Sequence, residues 1–252
     1  MQFKEKIAIV TGGAHGIGEG IVRAFAREGA GVAIVDMDEQ GANDLASKLK
    51  QDGSKIFPVK ADVSKTADIQ SAVEQIMVHF GRVDILINNA GGSSYTPIHI
   101  EEVTEEQYDR VIDSNVKGTF FFTRAVLPFM IRQQSGRIVN MASVCGRAGS
   151  ELTSPQYSAS KGAVLAFTRN LAKHIGPKNI TINAVAPGYV KSGPRVEAIW
   201  RTRDEEAALK MVALRRRSTI EEQVGVVLFL CSDWASYITG ATIDVNGGLV
   251  AI

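Results

Sequence analysis

Tyr157 and Lys161 are the residues whose types and spacing best suit proton transfer in this sequence. They are four positions apart in residues 156–175, a stretch with helical periodicity, so both side chains would lie on one helix face. A tyrosine phenol has a pKa near ~10, which is too high for a base at neutral pH. A lysine ammonium one turn away would favour the phenolate and lower that pKa. The pair could therefore exchange a proton with an alcohol or ketone oxygen; taken alone, it could equally be an ordinary surface pair.

A glycine-rich turn near the N-terminus has the spacing of a dinucleotide-binding turn. Gly12, Gly16 and Gly18 follow an apolar run, residues 7–10, and lead directly into a helical pattern. Glycines allow a tight turn and let backbone N–H groups approach a pyrophosphate, and the helix N-terminus adds partial positive charge there. We expect this turn to bind a dinucleotide; the alternative is a glycine-rich turn without a ligand.

Asp36 ends the second apolar run, 18 residues after Gly18. At about 20 residues from such a turn, an acidic side chain bonds the 2′-hydroxyl of the adenosine ribose and would repel the 2′-phosphate of NADP. Because Met37 follows, rather than arginine or lysine, the sequence favours NAD over NADP. His15, which lies in the same turn as Ile17, weakens the preference for NAD, because a protonated imidazole there would tolerate the 2′-phosphate of NADP. Asp36 could instead be a helix-capping or loop carboxylate.

Short apolar runs alternate with longer amphipathic stretches along the chain. Runs without polar alternation are typical of strands covered on both faces, and their alternation with helices indicates a doubly wound α/β fold. The runs are residues 7–10, 32–35, 56–59, 83–87, 138–141, 180–185 and 242–245, and helical patterns cover residues 17–28, 67–80, 105–132 and 156–175. The polar segment 188–217 departs from this alternation. We therefore predict one domain, residues 1–252, with a lid-like excursion at about 188–217.

The composition restricts the class of protein. The 252 residues contain 28 Lys and Arg and 27 Asp and Glu, and a net charge of +1 gives no electrostatic case for binding nucleic acid or an anionic membrane. Cys145 and Cys231 are too few for a disulfide framework or a zinc cluster and fit a reducing compartment. No metal-ligand spacing, hydrolase elbow or membrane-length apolar run occurs. We expect a cytoplasmic protein without a metal, nucleic-acid or membrane partner.

Five motifs occur in an order that resembles the short-chain dehydrogenase/reductase family, over nearly the whole chain. They are Thr11-Gly-x-x-x-Gly-x-Gly18, Asn88-Asn89-Ala90-Gly91, Ser143, Tyr157-x-x-x-Lys161 and Pro187-Gly188. The resemblance implies a single Rossmann-type domain with a seven-stranded parallel sheet, helices on both faces, and a homotetramer. It also implies that a nicotinamide cofactor carries a hydride while the protein supplies the acid and base.

The resemblance gives roles to further residues. The catalytic residues would be Asn115, Ser143, Tyr157 and Lys161. Ser143 would orient the substrate oxygen, Lys161 would also bond the nicotinamide ribose, and Asn115 would hold a water that completes a proton path. Besides the glycine turn and Asp36, the cofactor would be contacted by Asp62, Val63, Asn89, Ala90, Gly91, Pro187, Gly188, Val190 and Ser192.

Two positions depart from the family pattern. The spacing of 14 residues from Ser143 to Tyr157 is one longer than the commoner spacing, which adds a residue to the connecting loop. Ser192 stands where the family often has a threonine that bonds the nicotinamide amide, and a serine hydroxyl can make the same bond.

We predict an oxidoreductase that transfers a hydride between NAD(H) and a secondary alcohol or ketone. An alternative in the same family is a 3-oxoacyl-[acyl-carrier-protein] reductase, which residues 237–248 resemble; Asp36 argues against it because those reductases usually use NADPH. An alternative of another class is a non-catalytic NAD-binding sensor or scaffold, against which the presence of all four catalytic residues argues.

The substrate pocket is expected beyond the carboxyl ends of the strands, lined by residues 92–96, 145–152 and 189–200. Residues 191–217 include eight basic and four acidic side chains. Guanidinium groups there could recognise an anionic substrate; the alternative is a solvated amphipathic helix. Residues 105–132 and 156–175 carry more apolar surface than one sheet face should cover, which is compatible with subunit contacts.

Overall fold

A seven-stranded parallel sheet forms the centre of the protein in a computed structural model that describes residues 1–93 and 96–251. The strands are β1 Ile7–Thr11, β2 Gly31–Asp36, β3 Ile56–Lys60, β4 Ile85–Asn88, β5 Gly136–Met141, β6 Ile180–Pro187 and β7 Thr242–Val245. Their order across the sheet is β3-β2-β1-β4-β5-β6-β7, and all neighbours pair in parallel. Each strand overlaps its predicted run, and the predicted α/β fold class is confirmed.

The order of the strands reverses at the centre of the sheet. β1 pairs with β2 on one side and with β4 on the other, so the connections after β1 and β4 run in opposite directions. A reversal of this kind opens a crevice beyond the carboxyl ends of the two strands, which is where ligands bind in open α/β sheets.

Helices cover both faces of the sheet. They are α1 Gly16–Arg27, α2 Glu39–Gln51, α3 Thr66–Phe80, α4 Glu105–Ile112, α5 Gly118–Gln133, α6 Cys145–Ala148, α7 Pro155–Ile175, α8 Pro194–Trp200, α9 Glu205–Lys210 and α10 Ile220–Cys231. Val10 packs in a core with Phe25 of α1 and Val227 of α10. Ile9, one residue earlier, packs in a second core with Phe122 of α5. Successive strand residues thus enter two apolar layers, which is why the strand sequences lack polar alternation.

The predicted uninterrupted helix over residues 105–132 is wrong in one respect. α4 ends at Ile112, a π-helical turn spans Asp113–Lys117, and α5 begins at Gly118. Within the turn, the Asn115 side-chain amide donates a 2.9 Å hydrogen bond to the Val111 carbonyl, four residues earlier. A side chain that bonds this carbonyl competes with the regular backbone ladder, and single π-helical turns are frequent at functional sites.

The segment between β6 and α10 lies outside the sheet and contains α8 and α9. Its two ends meet in a parallel bridge between Val190 and Ser218. Arg217, only 5% exposed, forms ion pairs at 2.8 Å with Glu197 of α8 and Glu205 of α9. One buried guanidinium therefore joins both lid helices at the base of the excursion.

Candidate active site

A cavity of about 700 Å³ lies beyond the carboxyl ends of β1 to β6. Its wall contains three of the four residues predicted to be catalytic, Ser143, Tyr157 and Lys161. It also contains all the residues predicted to contact the cofactor, namely Gly12, His15, Gly16, Ile17, Gly18, Asp36, Asp62, Val63, Asn89, Ala90, Gly91, Pro187, Gly188, Val190 and Ser192. The fold thus brings together residues from six separate loops.

The glycine turn presents bare backbone to this cavity. Gly12 and Gly16 have φ angles of 62° and 58°, a left-handed conformation that glycine adopts without strain. A Cβ on Gly12 would lie 2.9 Å from the Cα of Ala90, and one on Gly16 would lie 2.8 Å from the Ser192 carbonyl oxygen. His15, at the N-cap of α1, makes no side-chain capping bond. The start of α1 is therefore shaped to receive a pyrophosphate.

Thr11 fixes the loop after β4 to the glycine turn, a role that the sequence analysis missed. Its hydroxyl accepts hydrogen bonds of 3.0 Å from the backbone N–H groups of Asn89 and Ala90. The Asn89 amide in turn donates to the carbonyls of Thr11 and Gly12, at 3.0 and 2.9 Å. A hydroxyl at the end of β1, directly before the first glycine, was the signal available in the sequence.

The end of the cavity next to β2 is acidic. Asp36 accepts 3.0 Å hydrogen bonds from the backbone N–H groups of Ala14 and Asp38, which fix its carboxylate beside the glycine turn. Asp38, which the sequence analysis overlooked, lies 2.6 Å from His15 Nε2. The Gly41 backbone N–H and then the His15 side chain hold the pKa of Asp38 below its usual value. His15 thus faces a carboxylate at this end of the cavity.

At the opposite end, β5 and α7 place the catalytic candidates. Ser143 follows β5 and its hydroxyl accepts a 3.1 Å hydrogen bond from the Cys145 backbone N–H. Tyr157 lies in the first turn of α7 and Lys161 in the second. Lys161 Nζ donates a 2.8 Å hydrogen bond to the Met141 carbonyl at the end of β5. The strand end therefore orients the ammonium one helical turn from the phenol.

Burial dominates the electrostatics of Tyr157 and Lys161. It raises the pKa of Tyr157, and a hydrogen bond with Ser143 opposes that rise. It lowers the pKa of Lys161 to about 8. The expectation that Lys161 lowers the pKa of Tyr157 is not met in this structure. The reason is that desolvation disfavours both charged forms, while the ammonium bonds the Met141 carbonyl.

Asn115 lies behind the cavity wall. Its side chain is 1% exposed and donates hydrogen bonds of 2.9 Å to the Gly92 and Val111 carbonyls. It therefore anchors the loop after β4 to α4, and Ser114 from the same π-helical turn lines the cavity instead. The proton path through Asn115 stays a prediction.

The lid completes the wall near Tyr157. Tyr189 and Trp200 pack edge to face, with ring centres 4.9 Å apart. Further wall residues are Cys145, Leu152, Thr153, Arg195, Val196 and Arg203. Most of these fall in the predicted lining segments; Thr153 and Arg203 were missed, and Ser94 and Tyr95 of the predicted segment 92–96 lie outside the described residues.

From the sequence we expected neither a membrane nor a metal partner. Across residues 1–93 and 96–251, no helix has the length and apolar character needed to cross a bilayer. In the same ranges, no three His, Cys, Asp or Glu side chains are grouped as a metal would require.

Comparisons with known proteins match the chain over almost its whole length. A family profile described as Enoyl-(Acyl carrier protein) reductase matches residues 12–250. The 3-oxoacyl-[acyl-carrier-protein] reductase FabG of Thermotoga maritima is 37% identical over 99% of this chain and 100% of its own. Galactitol 2-dehydrogenase of Agrobacterium fabrum is 38% identical, over 98% of each chain. The crystal structure of gox2181 superposes with a TM-score of 0.94 at 34% identity, covering 98% of this chain and 96% of that one.

Proposed function

This chain belongs to the short-chain dehydrogenase/reductase family of oxidoreductases, and we propose that it transfers a hydride between NAD(H) and a secondary alcohol or ketone. The observation that carries the proposal is the shared cavity. Tyr157 and Lys161 line the same space as Asp36 and the glycine turn, so an acid–base pair and a dinucleotide groove open onto each other.

The residues present fit a nicotinamide dinucleotide. Gly12, Gly16 and the N-terminus of α1 would hold the pyrophosphate, because they line the cavity and a helix N-terminus presents backbone N–H groups and partial positive charge to an anion. The Asp36 carboxylate would hold the adenosine ribose, and its negative charge favours NAD over NADP. When bound, the nicotinamide ring supplies or takes the hydride.

Tyr157 moves the proton that accompanies the hydride. In the reducing direction its phenol donates a proton to the ketone oxygen, which becomes the alcohol oxygen. In the oxidising direction the phenolate accepts the hydroxyl proton. Burial keeps the phenol protonated, which suits the reducing direction, while the Ser143 hydroxyl orients the reacting oxygen. The Lys161 ammonium, 5.7 Å from the centre of the Tyr157 ring, opposes the burial penalty of the phenolate that remains after proton donation without outweighing it.

A 3-oxoacyl-[acyl-carrier-protein] reductase is the second candidate, because several relatives carry that name. The two candidates differ in substrate and in cofactor. Such a reductase would act on an acyl thioester and usually with NADPH, whereas the carboxylates of Asp36 and Asp38 at the ribose end favour NADH.

The test follows nicotinamide absorbance with NADH and NADPH across ketones and 3-oxoacyl thioesters, and with NAD and NADP across secondary alcohols. We expect turnover of ketones with a preference for NADH. Faster turnover of the thioesters with NADPH would establish the second candidate. Tight NAD binding without turnover of any compound would contradict both and favour a sensor or scaffold.

We also propose that the chain forms a homotetramer. Tyr108 of α4 and Phe120 of α5 are 48% and 46% exposed, and the Phe120 ring lies 5.3 Å from Phe167 of α7. Exposed aromatic side chains on neighbouring helices are enriched at protein interfaces. Sedimentation velocity should give four subunits for the wild type and smaller species for Phe120→Glu. A monomeric wild type at micromolar concentration would contradict the proposal.

A further inference from the structure

The carboxylates of the cavity wall are confined to one of its ends. Asp36, Asp38 and Asp62 lie at the ends of β2 and β3, where the adenosine is proposed to bind. The cations of the wall are Lys161, one helical turn from Tyr157, and Arg195 and Arg203 of the lid. Within the described part of the wall, no carboxylate lies at the Tyr157 end. The substrate end therefore presents only cations among its charged groups.

The net positive charge of residues 191–217 does not by itself explain this arrangement. Ion pairs away from the cavity occupy several of the basic residues: Lys210 with Glu206, Arg216 with Glu222, and Arg217 with Glu197 and Glu205. Of the eight basic residues in the segment, two line the cavity, Arg195 and Arg203. Three of the eight basic residues are thus compensated by carboxylates away from the cavity, whereas Arg203 lies in the cavity wall.

Arg203 is a partly buried guanidinium with no carboxylate partner among the described residues. Its Nη2 donates a 2.5 Å hydrogen bond to the Leu152 carbonyl, and its Cζ lies 5.5 Å from the Trp200 ring centre. A guanidinium has five N–H donors, so one carbonyl leaves most of them available. Burial also lowers the pKa of Arg203, because desolvation penalises its charge. A bound anion would compensate that penalty.

The chain connects Arg203 closely to the reacting groups. Leu152, which accepts its hydrogen bond, precedes Thr153, whose hydroxyl contacts the Cys145 sulfur at 3.4 Å. The Cys145 backbone N–H donates to the Ser143 hydroxyl at 3.1 Å. An anionic group held by Arg203 would therefore belong to the same small molecule whose oxygen reaches Ser143.

We propose that Arg203 binds an anionic group of the substrate, so that this enzyme acts on small hydroxy or keto compounds bearing a carboxylate, sulfonate or phosphate. The inference rests on the proposed hydride-transfer function and adds the substrate class to it. Arg203 is then a specificity-determining residue: it holds one end of the substrate while Ser143 and Tyr157 act on the other. The planar fork of donors suits all three anions, which share paired oxygen acceptors.

The test compares matched ketones with and without an anionic group. The probes are 2-butanone with 3-oxobutanoate, and hydroxyacetone with its phosphate; 2-oxopropane-1-sulfonate is the sulfonate arm. The variant is Arg203→Met, which keeps the aliphatic stem against Trp200, and the control is Arg201→Met, an exposed lid arginine outside the cavity wall. We expect Arg203→Met to lower kcat/KM for at least one anion by about 10- to 100-fold, as for a lost charged hydrogen bond. The loss for 2-butanone should be much smaller than the loss for 3-oxobutanoate, and Arg201→Met should behave as the wild type with all probes.

Equal wild-type rates for the neutral and anionic members of every pair would overturn the inference, as would equal losses of both members in Arg203→Met. Either result leaves hydride transfer itself intact. If no ketone is reduced with NADH or NADPH, the proposed function fails, and calorimetric binding of 3-hydroxybutanoate decides the inference separately. Binding that is lost in Arg203→Met and kept in Arg201→Met supports the anion site, and any other pattern overturns it.

Discussion

Lys161 Nζ lies 5.7 Å from the centre of the Tyr157 ring, close enough for its charge to act on the phenol, and donates its hydrogen bond to the Met141 carbonyl instead. Lys161 is buried and Tyr157 is half-buried, and desolvation moves their pKa values in opposite directions. Desolvation within the protein therefore favours the neutral phenol and destabilises the ammonium. Groups so perturbed within one cavity are typical of a catalytic site.

Lys161→Met should stabilise the protein at neutral pH. Burial lowers the pKa of Lys161 from 10.5 to about 8, which corresponds to about 3 kcal/mol of free energy. Below pH 8 the lysine is charged in both the folded and the unfolded chain, so this amount is subtracted from the stability of the folded protein. The variant also loses the hydrogen bond to the Met141 carbonyl, which costs about 1 kcal/mol. We therefore expect the free energy of unfolding of Lys161→Met to exceed that of the wild type by about 2 kcal/mol at pH 7. From pH 8 to 10.5 the folded lysine has lost its proton and the unfolded one keeps it, so wild-type stability rises and the gain disappears.

Urea unfolding at pH 7 and at pH 10.5 measures this difference. Lys173→Met, at an exposed position near the end of the same helix, is the matched control and should change stability little at either pH. A Lys161→Met variant that is less stable than the wild type at pH 7 would show that the buried ammonium is not a cost.

Asp36→Ser should shift cofactor preference toward NADP. The change removes the carboxylate that would repel a 2′-phosphate, and leaves a hydroxyl to accept a bond from the Ala14 or Asp38 backbone. We expect the ratio of kcat/KM for NAD to that for NADP to fall about 10- to 100-fold, which corresponds to about 1.4 to 2.8 kcal/mol. Asp52→Ser, at the exposed end of α2, should leave the ratio unaltered. An unchanged ratio in Asp36→Ser would remove Asp36 from cofactor selection.

Arg217→Met should loosen the lid. Its guanidinium is 5% exposed and joins α8 to α9. Because both carboxylate partners are partly solvated, we expect the free energy of unfolding to fall by about 1–2 kcal/mol. Limited proteolysis should then cut residues 191–216 faster, and KM for substrate should rise more than kcat falls. Arg216→Met is the adjacent control, because its pair with Glu222 is on the surface and contributes about 0–1 kcal/mol. Equal protease resistance of the two variants would contradict the role of Arg217.

The strands and the cavity wall were predictable from sequence for one physical reason. Strands buried on both faces, such as β1 and β2, have no polar alternation, so their ends are visible in the sequence. Residues that follow parallel strands must meet at the carboxyl edge of the sheet. The spacing of the glycine turn placed Gly12 in the site, the family resemblance placed Asn89 and Ser143 there, and all three line the cavity.

Features that depend on tertiary contacts were not predictable in this way. The π-helical turn at Asp113–Lys117, where Asn115 bonds the Gly92 carbonyl of another loop, lies within a segment whose periodicity is helical throughout. The contact of Asp38 with His15 joins two loops, and Arg203 enters the wall from a lid without a regular pattern. The raised pKa of Tyr157 depends on burial that spacing alone does not reveal.

Turnover by Tyr157→Phe, measured with its dinucleotide affinity, tests the central claim most directly. The phenylalanine keeps the ring in the first turn of α7 and removes the proton that the reaction needs. We predict that kcat/KM falls by about 10²- to 10⁴-fold while NADH binding, followed by fluorescence, is unchanged. Tyr237→Phe, at a fully exposed position, should retain wild-type turnover. Near-wild-type rates in Tyr157→Phe would contradict the assignment of Tyr157 as the proton donor and acceptor.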